Sequence, residues 1–291
     1  MISIGGELAL HDELSYFFTD SGRSSLRLFC KNFPGKKILL PNFLCDVTIE
    51  ILDQENMIYD FYIINNDLSV EYSSLEGKDF DVLYLINYFG KKMDIPLIFF
   101  EKIIIEDNVF FIDFDNDKKY KKWFAFNSYR KITELADGSI IKTNLPIRDY
   151  REKKFSPFSR LKYYAKEVKF NYLRHKIADE KTYLTIFNDA ELMLENQNKI
   201  YTMSDTSLGL LNKLVKVYSL QKSQREKNYD SLFKNFDHLS VFFKSDFYSY
   251  FIILTDERDA LRKFLFSKRI FLPIHWPSSK GGSSLHKNIL S

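Results

Sequence analysis

The chain has 291 residues, 45% hydrophobic and 28% charged, enough to bury a substantial core in one large lobe or two modest ones. Lys+Arg number 42 against Asp+Glu 39, a net charge of +3, and that balance argues against nucleic-acid binding, which normally needs a strong basic excess. Cys30 and Cys45, the two cysteines, are too few for a zinc quartet or a disulfide framework and read as small buried side chains in a reducing compartment.

The N-terminal MISIGGELALHDEL has no basic leader and meets Glu7, His11, Asp12 and Glu13 before any long apolar run; it is not expected to be a signal peptide. Up to Pro146, short apolar or β-branched runs alternate with helical or turn segments. KKILLPNF, MIYDFYIIN, DVLYLINYFG, KIIIEDNVFFIDF and GSIIKTN each read as a strand, as does WFAFNSY. SSLRLFCKNF and CDVTIEILDQ place Leu26, Phe29, Cys30 and Phe33, then Val47 and Ile51, at helical spacing. Such alternation predicts an α/β fold with a largely parallel sheet covered by helices.

After Pro146 the texture becomes basic and aromatic. RDYREKKFSPFSRLKYYAKEVKFNYLRHKIADEK predicts one or two helices whose charges form a solvated face or meet a membrane surface or an acidic ligand. MSDTSLGLLNKL starts a helix with Ser204 or Asp205 as N-cap and Leu208, Leu211 and Leu214 on one stripe. SQREKNYDSLFKNF reads as a further helix, HLSVFFKSDFYSYFIILTD as two strands, DERDALRKFLFSKR as a helix opened by Asp256, and IFLPIHW as a last strand. The expected division is a large lobe over residues 1–203, with 147–203 a helical extension, and a small α+β lobe over 204–291. No stretch reaches the ~18 uninterrupted apolar residues of a membrane span, and even PLIFFEKIIIEDNVFFIDF is broken by charges. The expected location is the cytoplasm.

Four stretches carry candidate chemistry. SGRSS at 21–25 is a small-residue turn entering a helix, where backbone N–H groups and the helix dipole hold a phosphate. NYFGKK ends one strand in a glycine turn, and IIIEDN ends another with Asp107, at the strand end where open α/β sheets bind ligands. SYRKITELADGS sets Lys131 three residues after Ser128, following a strand, where an amine can condense with an aldehyde. Phosphate turn, acid and lysine in this order are the contacts that pyridoxal phosphate requires.

The series SGRSSL, ILLPNFLCDVTIEIL, INYFG, IIIEDN, SYRKITELADGSIIKTN, MSDTSLGLL, REKNYDSL and IHWP resembles the DegT/DnrJ/EryC1/StrS sugar aminotransferases. The resemblance implies a fold-type I pyridoxal-phosphate transferase with a mixed, mostly parallel sheet and a small C-terminal α+β domain. It also implies a homodimer with sites at the subunit interface, and amino transfer from glutamate to a nucleotide-linked keto-sugar in surface polysaccharide biosynthesis. Carried over, Lys131 would bond the cofactor aldehyde and shuttle a proton, and Asp107 would pair with the ring nitrogen. Gly22, Arg23, Ser24 and Ser128 would line the phosphate. Asn87, Tyr88, His275 and Trp276 would border the substrate.

This chain departs from the family pattern at several positions. Phe110 stands where the family has a glutamine or histidine for the ring hydroxyl, Cys45 where an aromatic ring stacks on the cofactor, and Phe126 where a phosphate serine stands. The glycine-rich run after the lysine is reduced to Asp137-Gly138. Two other readings follow from the residues. One is a noncatalytic relative that binds or scaffolds in a glycan pathway. The other is a nucleotide-sugar glycosyltransferase in which Asp113 and Asp115 of DFDND hold a divalent metal. The aminotransferase reading itself requires no metal.

Overall fold

The computed structural model describes residues 15–118, 120–241, 244–273, 275–276 and 280–290. The N-terminal segment discussed above, residues 1–14, lies outside them, as do Ile274 and Pro277 of the IHWP motif.

The centre is a seven-stranded sheet. In chain order its strands are β1 (Ser15–Thr19), β2 (Lys37–Pro41), β3 (Ile58–Tyr62), β4 (Val82–Ile86), β5 (Ile103–Asn108), β6 (Lys122–Asn127) and β7 (Ser139–Thr143). Their spatial order is β1-β7-β6-β5-β4-β2-β3. All neighbouring pairs from β3 to β6 run parallel, while β7 is antiparallel to both β6 and β1. Every residue of β4 and of β5 is buried, as covering on both faces of a parallel sheet demands. Helices α1 (Gly22–Asn32) and α2 (Asp46–Gln54) pack against each other. α1 buries Leu26, Phe29 and Cys30 at the expected helical spacing. Because β2, β4, β5 and β6 are parallel, their carboxyl ends share one edge, and the segments that follow them gather there.

Beyond β7 the chain forms the short strand β8 (Glu152–Phe155), a hairpin of helices α4 (Pro157–His175) and α5 (Glu180–Glu195), and strand β9 (Tyr201–Thr202), which pairs with β8; the one-turn helix α3 (Tyr129–Ile132) lies earlier, between β6 and β7. α6 (Asp205–Phe236) is one continuous 32-residue helix, where the sequence suggests two. No proline interrupts it, and the polar run around Ser219 to Ser223 carries no helix-ending signal stronger than serine. Its N-cap is Ser204, whose hydroxyl accepts from the Ser207 N–H.

The C-terminal strands depart from expectation. Among the described residues of 238–256 and 270–276, only β10 (Ile253–Leu254) is a strand, with an isolated bridge from Ser240 to Ile253. Side chains and a glycine carbonyl take the backbone groups that a ladder would use. Arg225 donates to the Ser249 carbonyl at 3.1 Å, and the Phe247 N–H donates to the Gly90 carbonyl at 2.8 Å. Trp276 has φ +53, a left-handed conformation that a strand does not contain. Helix α7 (Arg258–Ser267) is N-capped by Glu257, one residue past the expected Asp256. The one-turn helix α8 (Leu285–Asn288) leads into β11 (Ile289–Leu290), which pairs antiparallel with β10.

Gly90 joins the sheet to this later region. Its φ is +97, and a Cβ there would lie 1.7 Å from the Phe247 carbonyl oxygen. Gly35 has φ +75 with nothing within 4 Å of the same added atom. Gly35→Ala is therefore expected to destabilise by about 1 kcal/mol through backbone strain alone. Gly90→Ala adds a backbone collision and is expected to cost more than about 3 kcal/mol. Urea unfolding of both variants checks the difference.

Candidate active site

The edge gathered by the parallel strands opens into a cavity with about 670 Å³ of empty space, its mouth included. Three elements place its polar groups. The loop after β1 starts α1, so that Gly22 and Arg23 stand at the helix N-terminus. β5 delivers Asp107, and β6 runs into the one-turn helix α3, which carries Arg130 and Lys131 behind Ser128.

At the start of α1, the Ser21 hydroxyl accepts from the Ser24 N–H at 3.2 Å and the Ser21 carbonyl from the Ser25 N–H at 3.1 Å. The N–H groups of Gly22 and Arg23 have no partner within the helix, as its first turn requires. The Ser128 hydroxyl lines the cavity and makes no hydrogen bond among the described residues. Arg23 and Arg130 bring two guanidinium groups to the same wall. Burial pulls the Arg23 guanidinium below its usual range, and the Arg130 charge adds to the effect. Arg130 is held at 3.0 Å by Glu191 of α5, which also pairs with Lys162. This end of the cavity is therefore cationic and rich in free donors, a seat for an anion.

Asp107 is 9% exposed. Its carboxylate accepts from the Tyr84 hydroxyl at 2.8 Å and from the Val109 N–H at 3.0 Å. Burial raises its pKa to about 6, against the pull of those donors and of the Lys131 charge. Lys131 is an exposed residue on the cavity wall, while protein groups crowd its amine end. That burial, followed by the Arg130 charge, lowers its pKa to about 8, while the Glu191 charge opposes the shift. Burial raises the Cys45 thiol pKa, so the group facing Lys131 is an uncharged sulfhydryl at neutral pH.

The turn that carries Lys131 is pinned from three directions. Tyr250 donates to the Lys131 carbonyl at 3.3 Å, and Arg225 to the Ile132 carbonyl at 3.0 Å. The Gly138 carbonyl accepts from the Tyr129 N–H at 3.0 Å, while the Gly138 N–H donates to the Asp20 carbonyl at 2.7 Å. One glycine thus ties the lysine turn to the loop that opens α1.

Of the residues singled out from sequence, Gly22, Arg23, Cys45, Asp107, Ser128, Lys131 and Trp276 line this one cavity. Ser24 lies behind it, 1% exposed, its hydroxyl within reach of Ser21 and of Gln197 at 3.3 Å. Asn87 is buried, donating to Asn108 and accepting from the Met93 N–H, each within 2.8 Å. Tyr88 donates to the Phe43 carbonyl. Phe110 stacks on Phe89 at 4.8 Å, with His275 edge-on at 5.4 Å, in an aromatic cluster beside the cavity and not on its wall. The His275 pKa is lowered to about 4 by burial and by the Lys131 charge, which keeps the ring neutral. Trp276 reaches the wall and meets Phe43 edge-on at 4.9 Å.

Tyr84 and Arg130 are missing from the sequence reading. A tyrosine inside the otherwise aliphatic strand VLYLI was the available signal, since a buried phenol needs a hydrogen-bond partner. Arg130 sat beside Lys131 in plain view, but only the fold turns both inward. The DFDND pair lies elsewhere. The Lys142 ammonium sits 3.1 Å from Asp113 and 2.8 Å from Asp115, so that lysine occupies the position a metal would need.

No family model matches the sequence, and no curated protein matches it. Solved structures do. A DegT DnrJ EryC1 StrS aminotransferase from Brucella abortus superposes with a TM-score of 0.62 at 13% identity, covering 95% of this chain and 79% of that one. S. venezuelae DesV in complex with a ketimine intermediate gives 0.62 at 12%, covering 95% and 78%. NtdA from Bacillus subtilis with bound cofactor PMP gives 0.63 at 13%, covering 94% and 67%. The strand order with its single reversed strand, and the likeness to these structures over most of their length, establish that this chain has the fold-type I architecture of the DegT/DnrJ/EryC1/StrS aminotransferases.

Proposed function

We propose that the cavity holds pyridoxal phosphate and that the chain moves an amino group from glutamate to the keto carbon of a nucleotide-linked sugar, in surface polysaccharide biosynthesis. The observation that carries this reading is the meeting of the Lys131 amine, the Asp107 carboxylate and the cationic α1 N-terminus in one cavity. A homodimer in the cytoplasm belongs to the same proposal; among the described residues no helix is long and apolar enough to cross a membrane.

The residues present fit the cofactor. Free N–H groups at Gly22 and Arg23, the unpartnered Ser128 hydroxyl and the two guanidinium groups suit its phosphate. Asp107, an anion above about pH 6, suits a protonated ring nitrogen, and that cation would in turn favour the ionised acid. When bound, pyridoxal phosphate supplies an aldehyde that condenses reversibly with amines and a ring that accepts an electron pair from the adjoining carbon.

Lys131 provides the nucleophile. Desolvation and Arg130 disfavour its ammonium form, so a useful fraction is neutral amine at physiological pH. The same amine would also take a proton from one carbon of a bound substrate and return it to another. Tyr84 and the Val109 N–H orient the Asp107 carboxylate, which would pair with a protonated ring nitrogen. Trp276 supplies an aromatic wall in a site where Cys45 offers none.

One observation favours a second reading, a noncatalytic binding or scaffold protein. Phe110, locked in its stack with Phe89, offers no polar group where the family pattern has a glutamine or histidine. Colour separates the two. Protein incubated with pyridoxal phosphate should gain a visible absorbance band that borohydride bleaches, with added mass on Lys131 alone; Lys131→Ala should show neither. A wild-type protein that stays colourless would remove the enzyme reading.

The rate of cofactor attachment should follow the neutral amine. It should climb with pH and level off above about 8, whereas an ordinary lysine would keep gaining to about 10.5. Stopped-flow absorbance between pH 6 and pH 10 measures it.

Asp107 should cost the cofactor-free protein stability. Its folded pKa of about 6 exceeds its ordinary 3.8, so its stabilising proton is fully held below 3.8 and lost as pH rises through 6. At pH 7 a buried anion remains. Asp107→Asn is therefore expected to stabilise the cofactor-free protein at pH 7 by about 2 kcal/mol, with no gain at pH 3.5. The same variant should slow amino transfer by about a hundredfold or more. Denaturant unfolding at both pH values, with a coupled transaminase assay, checks the pair of effects.

A further inference from the structure

The basic, aromatic segment after Pro146 forms a groove apart from the cofactor cavity. One wall is the first half of α4, with Ser159, Arg160, Tyr163 and Lys166; the other is the N-terminus of α6, with Asp205 and Thr206.

The inner part is built for an anion. Within α6, Ser204 satisfies the Ser207 N–H with its hydroxyl and the Leu208 N–H with its carbonyl. The N–H groups of Asp205 and Thr206 are left without a helical partner, at the positive end of a 32-residue helix. Ser159 is 2% exposed, lines the groove, and its hydroxyl has no hydrogen-bond partner among the described residues. An orphaned buried hydroxyl is costly unless something binds it. Arg160 and Lys166 make no ion pair among the described residues. Burial, then Lys162 and Lys169, disfavour the Lys166 ammonium, so a bound anion there would relieve an existing strain.

The rim has a different character. Glu134, Glu167 and Asp205 are exposed there, as is Arg160, and Tyr164 is 54% exposed. Exposure weakens the repulsion between Glu167 or Asp205 and an inner anion, the Glu134 charge reaches Lys166, and all three carboxylates are acceptors suited to hydroxyl groups. A flat, half-open tyrosine beside them offers the apolar face on which a sugar ring rests. We propose that this groove binds a phosphorylated sugar, its phosphate at the α6 N-terminus between Ser159, Arg160 and Lys166 and its hydroxyls on the rim carboxylates. The site shares Glu134 with the loop just past Lys131, so its occupant would lie close to the turn that carries the catalytic amine.

Isothermal titration with glucose 1-phosphate tests this, with inorganic phosphate and glucose as separate arms. Wild type should bind glucose 1-phosphate tighter than inorganic phosphate, and glucose alone should give no heat. Ser159→Ala should weaken glucose 1-phosphate about tenfold while leaving the melting temperature equal or higher, because an unsatisfied hydroxyl is removed. The double variant Arg160→Gln/Lys166→Gln should weaken it by about tenfold or more. Lys131→Ala should bind as wild type does, which separates this site from the fate of the cofactor reading. Affinity unchanged by both groove variants, or glucose 1-phosphate binding no tighter than inorganic phosphate, would overturn the proposal.

Discussion

Two consecutive residues, Asp137 and Gly138, hold the cavity edge of the sheet together. The Asp137 carboxylate, wholly buried, accepts from the Ser204 N–H at 2.9 Å, from the Ser204 hydroxyl at 2.7 Å and from the Ser207 hydroxyl. It thereby anchors the start of α6. Gly138, at φ +116, donates to the Asp20 carbonyl and accepts from Tyr129, joining the α1 loop to the lysine turn. An added Cβ at Gly138 would lie 2.5 Å from the Met203 side chain. What reads in sequence as a remnant of a glycine-rich run is thus the fixed point from which phosphate turn, lysine turn and α6 are all set. The relative placing of the groups on the cavity wall thus depends on short hydrogen bonds between segments far apart in the chain.

Charge in the cavity is arranged by burial as much as by pairing. At one end burial, and after it the Arg130 charge, lowers the Lys131 pKa to about 8; a buried acid at the other end keeps its proton to about pH 6. Both groups are held in the less comfortable of their states at pH 7. A ligand with an anion at one end and a cation at the other would relieve both, so the cofactor-free cavity stores part of the affinity for its occupant.

The α/β alternation was legible because the central strands are buried on both faces and so read as unbroken apolar runs; β2, β4, β5 and β7 fall inside the segments named for them. Lys131 and Asp107 stood out because one follows and the other ends such a strand, and the SGRSS turn because small residues lead there into a helix. β1 was not, since SYFFT is a short edge strand with no alternation, exposed at its start. The C-terminal strands were over-read: HLSVFFKSDFYSYFIILTD has strand-like composition, but tertiary bonds from Arg225 and Gly90 capture its backbone. Local pattern also could not show that Phe110 would turn toward Phe89 and leave the cavity wall. Nor could it show that Lys142, distant in sequence from DFDND, would pair with both Asp113 and Asp115.

A crystal structure of the protein grown with pyridoxal phosphate tests the central claim most directly. The account predicts continuous density from Lys131 Nζ into the cofactor, the ring nitrogen within hydrogen-bond distance of Asp107 and the phosphate against the Gly22 and Arg23 N–H groups. Cofactor density away from this cavity, or a clear cavity at saturating cofactor, would contradict it.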